Sequence, residues 1–449
     1  MIFILKRNFK EIRKNGLKVL LKKCNTLCFI ILTAPLYFIY LPLILLITLI
    51  SPIILFRFRD APSGRIGHLA CEIEYYLCKK KYEKEFIKRK LFPLKVDFFY
   101  FDLVCNTQLV KMCKRQLNVI PKFFLKPLLN LTKFLSKFFK IFDKHVIKLG
   151  YHRDIYHFQE KTGTQLSFTK DELTSGKKEV FEKFGIKMGS KFVCVAIRDE
   201  DYLKKEFPEK NFSFHNPRNT SMKKFIPAIK EIVKKNYYVF RMGKHVKKPL
   251  VIKNKKIIDY AMSNNRSDFL DIYLASQCDF LLCSSTGIQN ITEIFRKPFA
   301  TLMIPLGEID TKSKKNINLV KHHHFIKTGK KLTLEEIFSY DVALARNNKI
   351  DRFKQKGVEL KENSATEIKD LALDMMNNIK NKWVLSKQNQ KLQNEFNKKF
   401  LKTYYKYAPV EKFKDEPGYW SYGRGWSYHG KMYSKFSYSF LKKNKNWFK

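Results

Sequence analysis

Glycine and proline are scarce, 17 and 15 in 449 residues, which excludes collagen-like and mucin-like chains. Arginine is scarce too. Of 88 basic side chains only 16 are Arg; against 41 Asp plus Glu the formal net charge is +47. A nucleic-acid reader uses Arg heavily for forked phosphate and base contacts. An excess carried by Lys, alongside many Asn, Ile and Phe, reads instead as compositional drift, and no nucleic-acid partner is expected. The nine Cys are an odd number and form no CxxC pair, so a zinc knuckle and a secreted disulfide framework are both poorly supported. Buried, reduced thiols in a cytosol-facing protein are expected. No repeat of solenoid period is present. What is abundant is apolar material, 45% hydrophobic and 15% aromatic, enough for real cores and against disorder as the main state. The length suggests about two to four domains.

From Leu27 to Phe56 the chain runs 30 residues without a charge. A spanning helix needs about 20 apolar residues, so residues 1–60 read as a basic N-terminus and a membrane anchor. Lys6, Arg7, Lys10, Arg13, Lys14, Lys18, Lys22 and Lys23 precede the run with only Glu11 among them, which keeps the N-terminus cytoplasmic. Pro35, Pro42 and Pro52 interrupt it. A single kinked span would export everything after Arg57, whereas a re-entrant hairpin bent near Pro42 would keep it cytoplasmic. Arg57, Arg59 and Arg65 just after the run favour the re-entrant form. Pro121 to Leu149 is a second membrane candidate, with Leu128, Leu131, Leu135, Phe138 and Phe142 at helical spacing and Lys126, Lys133, Lys137, Lys140 and Lys144 between them. A core-facing helix with a solvated Lys face is the alternative.

The pattern then becomes α/β. In residues 61–185, Ser63-Gly64-Arg65-Ile66-Gly67-His68 precedes a helix carrying Glu72 and Glu74. Gly64 and Gly67 allow backbone amides to approach an anion, and His68 is a candidate general base. Lys95 to Leu103 alternates as a strand, and Asn106 caps the next helix. Residues 186–345 repeat strand and helix regularly, which predicts a parallel sheet with ligands at the carboxyl ends of its strands. The polar residues fall at those ends: Arg198 and Asp199 after the first strand; Arg241, Gly243 and Lys244 after the second; Asp259 and Tyr260 in the third. Ser284-Ser285-Thr286-Gly287 opens a helix and suits a diphosphate. Arg241, Lys244 and Arg266 would balance its charge, and Glu293 would accept a ribose hydroxyl.

These runs resemble a bacterial family of glycosyltransferases associated with surface polysaccharide synthesis. The resemblance is carried by Arg65-Ile66-Gly67-His68-Leu69, Ile197-Arg198-Asp199 with Tyr202, Arg241-Met242-Gly243 and Ile258-Asp259-Tyr260-Ala261. It continues in Arg266-Ser267-Asp268-Phe269-Leu270-Asp271 and Ser284-Ser285-Thr286-Gly287, covering about residues 60 to 340. The ending Phe436-Ser437-Tyr438-Ser439-Phe440-Leu441 is similar too. The family is similar to the two-lobed GT-B type. The resemblance implies two Rossmann-like lobes, an acceptor lobe over 61–185 and a nucleotide-sugar lobe over 186–345, with helices and an aromatic, basic tail over 346–449. It draws Asp268 into the donor site. Many members carry His two residues before the first-strand Arg; here Ala196 stands there, so no base is placed at that position.

Asp199-Glu200-Asp201 has the form of a metal-binding carboxylate pair; with Arg198 beside it a lobe boundary is favoured, and a divalent metal is allowed for but not expected. His322-His323-His324 lacks further zinc ligands and is expected as a mobile loop near the diphosphate, ahead of the capping box Thr333-x-x-Glu336. The tail aromatics Tyr419, Trp420, Tyr422, Trp426, Tyr428 and Tyr433 are expected to pack across the first lobe. The expectation is therefore a glycosyltransferase at the cytoplasmic membrane, its catalytic part cytoplasmic. It would move a sugar from a nucleotide-sugar to a glycan or lipid-linked acceptor, with His68, Arg198 and Asp199 in catalytic places and no obligatory metal. The alternative is a non-catalytic, membrane-tethered binder of anionic polymer or nucleic acid.

Overall fold

The computed structural model describes residues 17–86, 93–149, 154, 157–187, 189–208, 211–303, 306, 309, 313–343, 352–380, 386–407 and 432–448. The basic residues before Leu17 and the aromatics from Tyr419 to Tyr428 lie outside them.

The described residues begin with α1 (Leu17–Thr33) and α2 (Leu36–Leu49). Among the described residues no single helix is long and apolar enough to cross a membrane, but Lys23–Thr33 and Leu36–Leu49 together pass the length and composition test as a pair bent by 63°. The bend is not at Pro42, which sits inside α2, but at Ala34-Pro35. Pro35 has no amide to bond Ile31 O, and the Ala34 amide takes that carbonyl in a turn instead.

β1 (Ile54–Ala61) comes next, running across the expected boundary between residues 60 and 61. Then come α3 (Ile66–Phe86), β2 (Leu94–Phe101), α4 (Thr107–Lys114), β3 (Asn118–Val119) and α5 (Lys122–Leu135). The three strands form a parallel sheet in the order β1-β2-β3. Alternation assigns its faces. Phe58 and Tyr100 pack with Tyr40, Ile44 and Ile47 of α2 and Leu125, Leu128 and Leu129 of α5. Ala61 and Phe99 pack with Leu69 and Ile73 of α3 and Leu109 of α4. The second helix of the apolar N-terminal run thus packs as one outer layer of the first lobe.

The second lobe comprises α6 (Lys170–Phe184), β4 (Phe192–Ala196), α7 (Met222–Lys234), β5 (Tyr238–Arg241), β6 (Ile257–Ile258), α8 (Asp268–Gln277), β7 (Phe280–Ser284), α9 (Gly287–Ile294), β8 (Phe299–Leu302) and β9 (Ile317–Leu319). β10 (His322–Phe325), β11 (Val358–Lys361), α10 (Ala365–Ile379), α11 (Lys387–Tyr407) and β12 (Lys435–Phe436) complete it. Seven parallel strands lie in the order β12-β9-β8-β7-β4-β5-β6. Val193, Val195, Phe280 and Leu282 face a core shared with α7, α10 and α11, while Cys194, Ala196, Leu281 and Cys283 face one shared with α6 and α8.

One expectation is corrected. The His322–His324 run is not a loop. It is strand β10, paired antiparallel with β11; His323 is buried, and His322 Nε2 lies 2.9 Å from Glu367 Oε1. Of the tail aromatics expected on the first lobe, Tyr433 meets the His157 ring edge-on at 4.8 Å and the others lie outside the described residues; the tail beyond it enters the second lobe. β12 pairs with β9, and Phe436, Phe440, Leu441, Trp447 and Phe448 enter the α7/α10/α11 core.

Asp374 of α10 holds this tail in place. Its buried carboxylate accepts from Ser437 Oγ at 2.7 Å, Ser439 Oγ at 2.8 Å and the Ser439 amide at 3.0 Å. Burial nevertheless raises its pKa from 3.8 to about 6. Between those values Asp374 binds more protons folded than unfolded, so its contribution to stability falls as pH rises through that window. Asp374→Asn removes the titration, and the fall in Tm measured from pH 4 to pH 6 should flatten relative to wild type. Asp374→Ala leaves the Ser437 and Ser439 donors without their acceptor and should lower the unfolding free energy by about 1–3 kcal/mol in denaturant titrations.

Candidate active site

In the larger sheet the chain moves outward from β4 to β5 and β6, then returns to the other side of β4 as β7. Such a reversal leaves a crevice at the carboxyl ends of β4 and β7. The segments there are Ala196-Ile197-Arg198-Asp199 and Ser284-Ser285-Thr286-Gly287. The loop is built tightly: the Arg198 amide donates to Ser284 Oγ at 2.7 Å, and Arg218 Nη2 donates to Ser285 O at 2.9 Å and Ser285 Oγ at 2.8 Å.

The first lobe closes over this crevice through α3. A Cβ built on Gly67 would lie 2.9 Å from Gly287 Cα and 2.8 Å from Asn290 Nδ2, and one on Gly287 would lie 3.0 Å from Ile66 Cγ2. Neither glycine has a positive φ, so proximity and not backbone conformation demands them. Asn290 Nδ2 donates to Gly67 O at 3.1 Å, tying the two backbones together. The N-terminal turns of α3 and α9, one from each lobe, therefore meet at one place. Thr286, in the N-cap position of α9, makes no side-chain capping bond, and its buried Oγ1 has no partner among the described residues.

A cavity of about 240 Å³ lies at this meeting point. Its walls carry Arg65, Arg198, Arg218, Lys244 and three histidines, His68, His215 and His245, against the carboxylates of Asp199, Asp271 and Glu293. His68 is oriented: its Nδ1 is 3.1 Å from Oε1 of buried Glu72, one helical turn along α3. Lys244 Nζ is 2.6 Å from Glu206 Oε1, and His245 Nε2 is 3.0 Å from the same oxygen. Burial works against ionising Glu206, but its contacts with Lys244 and His245 outweigh it and hold the carboxyl below its usual range. For Asp271 burial prevails over Arg266 and the Tyr260 hydroxyl, and its pKa rises to about 6.

The cavity is lined by His68, Arg198, Asp199, Gly243, Lys244, Ser285, Thr286, Gly287, Glu293, Arg65 and Gly67 from the expected set. Gly64, Arg241, Asp259, Tyr260, Arg266, Asp268 and Ser284 stand behind it. Arg241, 3% exposed, donates to Lys248 O at 2.8 Å and Asp259 Oδ1 at 3.1 Å, while Asp259 Oδ2 accepts from the Leu250 amide at 2.6 Å. Together they brace the 243–250 loop and do not line the cavity. Tyr260 is fully buried, its hydroxyl 3.0 Å from Asp271 Oδ1, and Arg266 pairs with Asp271 Oδ2. Asp268 is an interlobe latch: Oδ2 accepts from the Thr107 amide at 2.7 Å, and its carbonyl accepts from Asn106 Nδ2 at 2.9 Å. Asp199 is committed to the backbone, its carboxylate accepting from the Asp201 and Lys247 amides at 3.1 Å each. Among the described residues no group of three or more His, Cys, Asp or Glu is placed to hold a metal ion.

Glu72, Asn290, His215 and His245 were not singled out from the sequence as site residues. Glu72 was within reach, since it stands four residues after His68 on one helix face. The other three are brought in by loop closure and by the second lobe meeting the first, which no local spacing announces.

No protein-family model and no curated protein matches the chain. Two solved structures resemble it remotely. One is the E. coli ADP-heptose lps heptosyltransferase II, with 9% identity over 60% of this chain and 90% of that one, and a TM-score of 0.35. The other is a glycosyl transferase of family 9 from Veillonella parvula, with 10% identity over 60% and 87% and a TM-score of 0.38. Neither likeness is close enough to carry an argument about the site.

The two classes of residue should separate by measurement. Arg241→Ala leaves Asp259 without its buried partner and should cost on the order of 3 kcal/mol in chemical denaturation. Gly67→Ala forces a methyl against the α9 backbone and should cost about 1–3 kcal/mol. Thr286→Val, which removes a hydroxyl without a partner, should leave stability within about 0.5 kcal/mol of wild type.

Proposed function

We propose that the chain is a glycosyltransferase of two-lobed, GT-B-like organisation that moves a sugar from a nucleotide-sugar to a glycan or lipid-linked acceptor. The observation that supports this reading best is the convergence of the α3 and α9 N-terminal turns, with Arg65, Arg198, Arg218 and Lys244 around them, at the switch point of the larger sheet. Helix N-termini and guanidinium groups favour a diphosphate, and a diphosphate is the leaving group of an activated sugar. His68 stands on the same wall.

In this reading the amides of the α9 turn and the surrounding cations bind the diphosphate and stabilise the charge it gains as the anomeric carbon–oxygen bond breaks. The leaving nucleoside diphosphate takes that electron pair. The acceptor hydroxyl forms the new bond to the anomeric carbon and gives its proton to His68. With Nδ1–H donated to Glu72, Nε2 is the basic atom, and Glu72 acts as a positioning residue. Asp199 has no catalytic part in this scheme, because its oxygens already hold two amides. We place the reaction at the cytoplasmic face of a membrane, where sugar nucleotides are made, with a surface glycan as the eventual product.

A thermal-shift panel of UDP-, GDP-, CMP- and TDP-sugars tests the assignment: one nucleotide class should raise Tm selectively, by a shift that grows with concentration. Arg218→Ala should abolish that shift. His68→Ala should keep it while lowering transfer by about 10²–10⁴-fold, and Glu72→Gln should lower transfer less than His68→Ala does. A shift common to all polyanions and insensitive to Arg218→Ala would instead select the non-catalytic anion binder.

A further inference from the structure

The exposed apolar side chains are concentrated on one layer. Thirteen large ones lie between Leu20 and Ile53 and six between Phe123 and Ile141. Phe38 is 86% exposed, Leu49 78%, Phe138 67% and Phe139 60%. Contiguous apolar surface of this kind marks an interaction site. It is continuous across two parts of the chain: Tyr40 Oη donates to Phe124 O at 2.9 Å, and the Phe29 and Phe123 rings lie 6.3 Å apart.

Charge identifies what covers it. α1, α2 and α5 contain no Asp or Glu. The carboxylates nearest to them are each paired with lysine: Asp60 with Lys133, Asp102 with Lys122 and Lys126, Asp143 with Lys148. Lys137, Lys140 and Lys144 add to this excess beside the exposed Phe138, Phe139 and Ile141. A wide apolar face rimmed by lysine and free of unpaired acid fits an anionic bilayer. Packing fixes the mode. Tyr40, Ile44 and Ile47 of α2 are buried against β1, β2 and α5, so α2 lies along the lobe and cannot run free through a membrane.

We propose that the outer face of α1, α2, α5 and residues 138–141 seats the first lobe on an anionic lipid bilayer, and that a lipid-linked acceptor reaches the cavity from that bilayer. The route is short in structure. Asp102, which holds Lys122 and Lys126 at the start of α5, precedes Leu103 and Val104, 56% and 51% exposed. Leu103 Cδ1 lies 3.7 Å from the Cβ position of Gly64, and Arg65 lines the cavity. An apolar lip thus joins the lipid-facing layer to the site. The acceptor half rests on the transferase reading; the seating does not.

The test places a benzophenone side chain, one site at a time, at Leu45, Leu103, Phe139 and Val251 of the full chain. Each protein is reconstituted with phosphatidylcholine vesicles containing or lacking labelled phosphatidylglycerol. On irradiation Leu45, Phe139 and Leu103 should label lipid, and Val251, 85% exposed on the second lobe, should not. Lys137→Glu with Lys140→Glu should cut labelling from Phe139 on the order of tenfold in the anionic vesicles. Labelling from Leu45 but not Phe139, crosslinking of Phe139 to a second copy of the chain, or labelling from none of the sites overturns the seating. Labelling from Phe139 but not Leu103 overturns the acceptor route. A wild-type protein that labels lipid as expected yet shows no selective response to any nucleotide-sugar condemns the transferase reading and leaves the seating standing.

Discussion

The backbone contact of α3 and α9 at Gly67 and Gly287 is the constraint on which the rest of the structure depends. Two helices approach this closely only where neither carries a side chain at the crossing, and here each comes from a different lobe. The crossing holds two helix N-terminal turns together and so concentrates partial positive charge that one turn alone would supply weakly. It also unites the hydrophobic interior: Leu69, Ile73 and Leu77 of α3 share a core with Ile272, Ala275, Ile291 and Ile294 of the second lobe. The lobes are therefore joined as one packed body along this line.

Polar contacts reinforce the join. Fully buried Glu74 accepts from Arg296 Nη2 at 2.8 Å and from the Gln165 and Leu166 amides at 3.0 and 2.9 Å, so its charge is met from both lobes. Asp268 does the same at the start of α4. A carboxylate removed from water persists only with several donors, and Glu74 collects its donors across the lobe boundary, while the partly exposed Asp268 adds a second crossing. Other residues of the expected set lie outside the cavity lining. Arg241, Asp259, Tyr260, Arg266 and Asp268 shape the loops that surround the cavity and leave the cavity wall to others.

The resulting body has two chemically distinct sides. The crevice is lined with Arg, Lys and His and opens at strand ends, whereas the α1, α2 and α5 layer is apolar and rimmed with lysine. Much of the net charge divides between them and the solvated faces elsewhere, which is why the +47 alone said so little. The inner stripe of α2 shows how one segment serves two purposes. Tyr40, Ile44 and Ile47 complete the core against the first sheet, and the opposite face stays apolar and uncovered.

The alternation of strands and helices, the caps at Asn106 and Thr333 and the loop Ser284–Gly287 were legible in the sequence, because each depends on contacts within a few residues, and the alternation in turn implied a parallel sheet. So was His68, and Glu72 could have been read beside it from helical spacing. The switch point between β4 and β7, the meeting of Gly67 with Gly287, and the sorting of Arg218 into the cavity and Arg241 beneath it were not. The same holds for the return of Phe436 to β9 and the burial of His323 in a strand. Arg218 and Arg241 carry the same guanidinium; only packing decides which pairs with the partly exposed Asp259 and which reaches the crevice. The sequence by itself determined the elements and the chemistry available, since local periodicity and residue type settle those. The tertiary structure decided which groups share a space, because that depends on contacts between residues 67 and 287 whose separation along the chain carries no local signal.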